Sequence, residues 1–193
     1  MILSGFSGVG KGTVIQQLLT EYPEKYVVAV SATTRKPRKG EVDGKSYHFK
    51  KREEFEDLIN KNEFFKGKNV IIEIDSQGAR QIRKQQKIQS VFLIPPSFDE
   101  LLHRLKNRGT ETEESIRRRL KQALVEIEHV EEYGVILVND SVEGTAFVVD
   151  ALFHPALKHA CGCNERELNI VKEIREGIIR YLSNGNLSDR GIY

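Results

Sequence analysis

The chain has 193 residues, which is enough for one globular domain with small appendages. Charged residues make up 30% of it, and a net charge of +2 is too small to favour nucleic acid or a membrane surface by bulk attraction. No apolar run reaches the ~20 residues that span a bilayer, and the N-terminus lacks the features of a signal peptide. Two closely spaced cysteines, Cys161 and Cys163, fit a reducing compartment, so we expect a cytoplasmic protein.

Apolar segments of two kinds alternate along the chain. Short apolar runs predict strands at Met1–Ser4, Tyr26–Ser31, Asn69–Asp75, Ser90–Ile94 and Val135–Val138. Helical spacing predicts helices after Gly12 and over Glu53–Lys61, Gln77–Gln86, Ser97 to about Asn107, about Thr112–Glu132, and Asn164–Leu182. The basic stretch Ala32–Gly44 is predicted to be loop and turn. This alternation predicts an α/β fold with a central parallel sheet flanked by helices.

A glycine-rich segment directly follows the first predicted strand. Gly5-Phe6-Ser7-Gly8-Val9-Gly10-Lys11-Gly12-Thr13 fits the pattern G-x-x-x-x-G-K, with Gly12 where many phosphate loops have Ser or Thr. Glycines let backbone N–H groups point at phosphate oxygens, and the next helix adds its positive end. A turn that only joins strand to helix is the alternative, and the strand–loop–helix context argues against it. The predicted ATP-binding residues here are Gly8, Val9, Gly10, Lys11, Gly12 and Thr13. A magnesium ion is expected near the Thr13 hydroxyl, with the Ser7 hydroxyl as the less favoured alternative.

The basic stretch from Ser31 to Phe49 has the residue types of a phosphate-monoester site. Arg35 and Arg38 lie three residues apart around a proline, and guanidinium groups hold phosphate in a bidentate manner. Ser31 and Tyr47 add hydroxyl groups. On residue types alone, a solvated basic loop without a ligand is the commoner outcome.

This stretch and the glycine-rich loop resemble the guanylate kinase family. The other segments that resemble it, in the family's order, are Glu73-Ile74-Asp75-Ser76-Gln77-Gly78, Pro95-Pro96-Ser97, Arg104-Leu105-Lys106-Asn107-Arg108-Gly109-Thr110 and Val138-Asn139-Asp140. The resemblance implies a P-loop kinase fold with a small nucleoside-monophosphate subdomain and a helical lid. It also implies phosphoryl transfer from ATP to GMP or dGMP, with Mg²⁺ as the cofactor.

The resemblance assigns roles to single residues on the acceptor side. Ser31, Arg35, Arg38 and Tyr47 match residues that hold GMP, and the arginines and Tyr47 match those on its phosphate. Asp75 matches the carboxylate that helps to read guanine. A carboxylate accepts hydrogen bonds from guanine N1–H and N2–H₂ and repels the N1 acceptor of adenine. The alternative role for Asp75 is to cap the helix that follows a strand.

The resemblance also implies a catalytic set of cations. Arg108 and Arg119 match lid residues that close over ATP, and with Lys11 and Arg38 they form this set. Asn139 matches a position near adenine. The family pattern Ile-x-x-Arg-Leu selects Arg119, so its neighbours Arg117 and Arg118 are expected on an exposed helix face. Because the acceptor is itself a phosphate oxygen, catalysis needs alignment and charge neutralisation rather than an obligatory base.

The family pattern divides the chain into parts. Residues 1–153 form the kinase domain, with its core at 1–31, 69–107 and 120–153, its GMP-binding part at about 32–68 and its lid at about 108–119. Between Phe65 and Lys66 the family has roughly two dozen more residues, including a glutamate and a turn that complete the GMP pocket. Either the printed sequence omits a segment of the protein, or the protein lacks it and binds GMP weakly. The retained phosphate loop and arginines favour omission.

Residues 154–193 form an extension beyond the resemblance. His154, His159, Cys161 and Cys163 do not have a standard zinc spacing, so a connector is favoured over a metal site. The amphipathic helix after it is expected to pack on the domain or on a second subunit, which leaves monomer and homodimer open. Two functional alternatives also stay open: a kinase of another phosphorylated acceptor, and a non-catalytic binding module of the same shape.

Overall fold

A computed structural model describes residues 1–29, 32–33, 42, 48–49, 69–85, 87–107, 112–154, 156 and 164–184. In chain order its helices and strands are β1 (Ile2–Gly5), α1 (Lys11–Glu21), β2 (Tyr26–Val28), β3 (Ala32–Thr33), β4 (His48–Phe49), β5 (Asn69–Glu73), α2 (Ser76–Gln85), β6 (Ser90–Ile94), α3 (Phe98–Lys106), α4 (Glu113–Ile127), a 3₁₀ turn (Val130–Glu132), β7 (Val135–Val138), α5 (Val142–Ala151) and α6 (Glu165–Asn184).

Five strands form one parallel sheet in the order β2-β5-β1-β6-β7. Strand β1 lies at its centre, where Leu3 is opposite both Glu73 on β5 and Val91 on β6. All four residues of β1 and all five of β6 are buried, as expected for parallel strands that are covered on both faces. The predicted α/β fold with flanking helices is therefore confirmed. A separate pair, β3 and β4, is also parallel.

The helices pack on the sheet through the apolar stripes that the sequence predicts. On α1, Val14 and Leu18 are fully buried. The last helix, α6, buries Val171, Ile174 and Ile178 against α3, α4 and β7. Of the two alternatives that the sequence leaves open for this helix, the structure shows packing on the domain.

Several predicted boundaries differ from the structure. Strand β2 ends at Val28, and residue 31 at the predicted end lies outside the described residues. The predicted loop from Ala32 begins with the two-residue strand β3. The predicted helix to Glu132 ends at Ile127, and a 3₁₀ turn follows. The predicted helix Glu53–Lys61 lies outside the described part of the chain.

Helix α5 is absent from the sequence prediction. Its sequence, VEGTAFVVDA, contains three β-branched valines and a glycine, which are weak helix formers. Its start is nevertheless marked, because the hydroxyl of Ser141 accepts a hydrogen bond from the backbone N–H of Gly144 at 3.2 Å. Packing against α1 then stabilises a helix that propensity alone does not favour.

No helix among the described residues combines the length and the apolar character that crossing a bilayer requires.

Candidate active site

The candidate site lies at the carboxyl edge of the sheet, where two neighbouring strands end. Strand β1 runs into the glycine-rich loop and then into α1. The adjacent strand β5 leads to Asp75, directly before α2. Ligands of open parallel sheets bind at this edge, so the fold brings the phosphate loop and Asp75 to one place.

Three glycines of the loop have backbone conformations that side chains disfavour, the first being Gly5 with φ of +149°. Gly8 has φ of +88° and Gly10 has φ of +96°. A Cβ on Gly10 would lie 2.8 Å from the amide nitrogen of Asn139, and one on Gly8 would lie 2.9 Å from Leu105. Around Gly12, by contrast, nothing among the described residues beyond the adjoining backbone of α1 lies within 4 Å of an added Cβ. The loop therefore needs glycine at positions 8 and 10 but not at 12.

Lys11 begins α1 and turns back over the loop. Its Nζ donates hydrogen bonds to the carbonyl oxygens of Gly5 at 2.7 Å and Phe6 at 3.1 Å. These bonds hold a positive charge on the inner side of the loop. The same ammonium group is the one that the motif assigns to the β- and γ-phosphates.

Two side chains support the loop from behind through one carbonyl oxygen. The carbonyl of Val9 accepts hydrogen bonds from Asn139 Nδ2 at 2.6 Å and from Arg104 Nη1 at 3.1 Å. Asn139 is buried and also accepts one from the Thr145 hydroxyl at 2.9 Å, while Arg104 is fixed by Glu100 at 2.6 Å. These bonds give Asn139 a supporting role; its proximity to adenine stays a prediction.

Arg119 on α4 reaches the opposite side of the same loop. Its Nη1 donates a short hydrogen bond of 2.5 Å to the hydroxyl of Ser7. Its neighbour Arg118 is exposed, as predicted. Arg117 differs from the prediction because it is only partly exposed and binds Glu113 at 3.1 Å. Lys11 and Arg119 thus both contact the phosphate loop.

Asp75 has the capping role that was its structural alternative. Its Oδ1 accepts a hydrogen bond of 2.8 Å from the backbone N–H of Gly78 in the first turn of α2. The side chain is exposed. The cap uses one of two carboxylate oxygens, so capping α2 and reading a base are compatible for the same residue.

A buried carboxyl group lies behind the loop, and sequence reasoning missed it. Glu126 on α4 is only 6% exposed, and its Oε2 has no hydrogen-bond partner among the residues that the structure describes. Burial raises the pKa of Glu126 to about 7, although the charge of Lys11 and a hydrogen bond with Gln122 act to lower it. Glu126 follows Arg119 by seven residues, or about two helical turns, so both lie on one face of α4. This spacing is the sequence signal that could have indicated Glu126.

Five predicted residues lie outside the described part of the chain: Ser31, Arg35, Arg38, Tyr47 and Arg108. Thr13 is described and is exposed in the first turn of α1. Hydroxyl and water oxygens suit Mg²⁺, which commonly takes few protein ligands and shares the nucleotide's phosphates. The described residues contain no cluster of three or more His, Cys, Asp or Glu that would hold a metal ion. The exposed Thr13 hydroxyl beside the loop fits a magnesium ion bound in that shared manner.

Two features define the class of protein. A glycine-rich loop that ends in Lys11 joins the central strand β1 to α1, and Arg119 places a second positive charge on this loop. The chain is a P-loop phosphotransferase in its fold and phosphate site. The guanylate kinase family model matches residues 1–66 and 64–155. The chain therefore belongs to the guanylate kinase family.

Individual relatives give the same result. The chain is 43% identical to a guanylate kinase of Nostoc sp., covering 79% of this chain and 88% of that protein. It is 44% identical to a guanylate kinase of Clostridium tetani, covering 74% and 78%. A crystal structure of guanylate kinase from Anaplasma phagocytophilum matches with a TM-score of 0.54 and 33% identity, covering 78% of this chain and 81% of that one.

The relatives are longer than this chain inside the matched region. The Nostoc alignment spans 177 positions, but 79% of 193 residues is about 152, so about 25 positions have no counterpart here. The two matches to the family model meet at residues 64–66. This junction coincides with the Phe65–Lys66 bond, where the family resemblance predicts roughly two dozen additional residues.

Proposed function

We propose that this protein transfers the γ-phosphoryl group of ATP to GMP, and also to dGMP, yielding ADP and GDP or dGDP. The observation that carries the proposal is the contact of two cations, Lys11 and Arg119, with one phosphate loop. Asp75 lies at the same sheet edge, beside the loop. Family membership supports GMP as the acceptor.

The chemistry is a direct displacement at phosphorus. An oxygen of the GMP phosphate forms the new P–O bond while the bond to the β,γ-bridging oxygen breaks, and ADP leaves with that electron pair. Backbone N–H groups of the loop hold the phosphates of ATP, and Lys11 and Arg119 neutralise the charge on the transferring group. On the acceptor side, we assign the GMP phosphate to Arg35, Arg38 and Tyr47.

Base choice and metal use follow from residue chemistry. The Asp75 carboxylate accepts from the N–H groups of guanine and repels the ring nitrogen of adenine. Mg²⁺ bound with ATP would screen the β- and γ-phosphates, with Thr13 holding it through water. Soluble nucleotide substrates fit a cytoplasmic location.

The decisive experiment is a turnover assay of the full chain with ATP, magnesium and a series of acceptors: GMP, dGMP, AMP, CMP and UMP. We expect ADP and GDP in equal amounts with GMP. Lys11→Ala should lower kcat/KM by about 10³-fold, because a charge aimed at the reacting phosphates is lost. Lys121→Ala, an exposed lysine on α4, is the matched control. Absence of GDP from the folded wild type, or equal turnover by Lys11→Ala, would refute the proposal.

The intact mass of the protein shows whether it contains the additional residues that its relatives have near Phe65 and Lys66. The sequence printed here corresponds to 22.0 kDa. A mass greater by about two dozen residues would show that the segment exists, and we would then expect a complete acceptor pocket and tight GMP binding. A mass of 22.0 kDa predicts a raised KM for GMP, because the acceptor pocket lacks part of its wall.

A further inference from the structure

The C-terminal helix α6 lies beyond residue 155, where the match to the family model ends. It packs closely on α3, because a Cβ added to Gly177 would lie 2.4 Å from the ring of Phe98. Glycine in the middle of a helix is otherwise unfavourable. The glycine therefore indicates a docking position in which the backbone of α6 approaches the Phe98 ring.

From this docked position, the last turns of α6 contact the beginning of α4. The Tyr181 hydroxyl donates one hydrogen bond that is shared between the two carboxylate oxygens of Glu113, at 3.0 and 2.9 Å. Arg117 Nη1 donates to the carbonyl oxygen of Leu182 at 3.2 Å, and its guanidinium lies 5.5 Å from the centre of the Tyr181 ring. Arg117 also binds Glu113, so the three side chains form one connected group.

The same helix α4 carries Arg119, which contacts Ser7 on the phosphate loop. Arg119 follows Glu113 by six residues, about 9 Å along the helix axis. Ile116 in the intervening turn and Leu120 next to Arg119 are 4% and 0% exposed, so this face of α4 packs on the core. Because the helix is continuous from Glu113 to Arg119, a displacement of its first turn would alter the placement of Arg119.

From these contacts we infer that α6 positions α4 for catalysis, with Tyr181 as the positioning residue that holds Arg119 at the phosphate loop through Glu113. This inference rests on the proposed function, in which Arg119 acts on the transferring phosphate. The described contacts of Tyr181 are with Glu113, Phe98, Lys106 and Arg117, none of which belongs to the phosphate loop, so its effect would pass through α4. Charge-assisted hydrogen bonds such as these are stronger than neutral ones.

The test is Tyr181→Phe, which removes the hydroxyl and keeps the ring beside Phe98, 6.2 Å between centres. We expect kcat to fall about five- to tenfold while KM for GMP stays unchanged, since about one charge-assisted hydrogen bond is lost. Ser183→Ala is the matched control. It also deletes a hydroxyl from the end of α6, but that hydroxyl bonds within the helix to the Ile179 carbonyl at 2.9 Å.

A double-mutant cycle separates positioning from general loosening of the fold. In an Arg119→Ala background, Tyr181→Phe should lower kcat no further, because both substitutions remove the same contribution. Fully additive effects, or an unchanged kcat in the single variant, would overturn the inference.

Amide hydrogen exchange gives a readout that does not depend on GMP. Tyr181→Phe should exchange faster than wild type at residues 116–120, and Ser183→Ala should not. If the wild type yields no GDP, the proposed function fails and exchange alone decides. Faster exchange then supports positioning of α4 by α6, and unchanged exchange refutes it.

Discussion

The phosphate loop after β1 and the turn after β5 end neighbouring strands at the same sheet edge, but they are built differently. The loop is held by two donors on the Val9 carbonyl and by close contacts around Gly8 and Gly10. At the turn, the exposed Asp75 carboxylate accepts one cap bond from the Gly78 N–H, and the side chain of Ile74 packs closely on Gly78. A triphosphate binds to backbone groups, whose positions must be fixed beforehand, whereas a base can be read by a single well-placed side chain.

The largest expected effect tests the rigidity of the loop. Gly10→Ala should lower kcat/KM for ATP by about 10³-fold, because the positive φ and the Asn139 contact force the loop out of shape. Gly12→Ala adds the same methyl group at a site that, in the described part of the chain, meets only the adjoining backbone of α1, and should change activity far less. Steady-state kinetics of both variants measure the difference. Equal losses of kcat/KM in the two variants would contradict a specific need for the positive φ at Gly10.

A second prediction concerns the titration of Glu126, whose carboxyl group is buried behind the loop, unlike the exposed carboxyl group of Asp75. The raised pKa of Glu126, from 4.5 to about 7, corresponds to about 3 kcal/mol. The native state holds this proton more tightly than the unfolded state. The stability from protonated Glu126 is therefore complete below pH 4.5 and is lost as pH rises through about 7.

Glu126→Gln should lack that pH dependence. The measurement is the free energy of unfolding in urea at several pH values. Between pH 4.5 and 8, this free energy should rise by about 3 kcal/mol in the variant relative to wild type. The comparison cancels all other titrating groups. Parallel stability curves for the two proteins would show that Glu126 titrates normally.

A third prediction concerns the turn after β5. Asp75→Asn keeps an oxygen that caps α2 but removes the negative charge and adds a donor. Turnover with GMP should fall about 30-fold, or about 2 kcal/mol, while the melting temperature stays the same. Discrimination against AMP should shrink. Asp99→Asn, an exposed aspartate in the first turn of α3, is the control, and a matching loss there would point to a general charge effect.

The smallest expected effect comes from one of the two donors on the Val9 carbonyl. Arg104→Gln should raise KM for ATP about fivefold, or about 1 kcal/mol, because Asn139 still supports the loop. KM for GMP should not change. Arg80→Gln, on the exposed side of α2, serves as the control. A larger effect on GMP than on ATP would contradict the separation of the two regions.

The parts of the fold that sequence predicts are those with local signals. Each strand of the main sheet is a short apolar run, such as the buried strand Ser90–Ile94, and this pattern predicts a strand directly. The phosphate loop is predicted in the same way from its glycines and Lys11. Helix α5 escapes prediction because packing on α1, rather than propensity, stabilises it.

The missed features of the site are long-range contacts. The hydrogen bond from Arg104 to Val9 joins residues 95 apart, and the one from Asn139 to Val9 joins residues 130 apart. Neither pairing has a periodic pattern in the sequence. Glu126 resembles a solvent-facing glutamate of a charged helix until its neighbours are known. Such contacts depend on how elements meet, which single-sequence patterns do not contain.

The central place of β1 in the sheet has a consequence for how the protein is made. During synthesis, Ile2 emerges from the ribosome long before its sheet neighbours Ile72 and Ser90, and the outer strand β7 completes that side only at Val138. Until those strands are synthesised, the apolar residues of β1 remain unpaired, and such segments are prone to aggregate. The nascent segment that carries the nucleotide loop is therefore the one that most needs chaperone protection while translation continues.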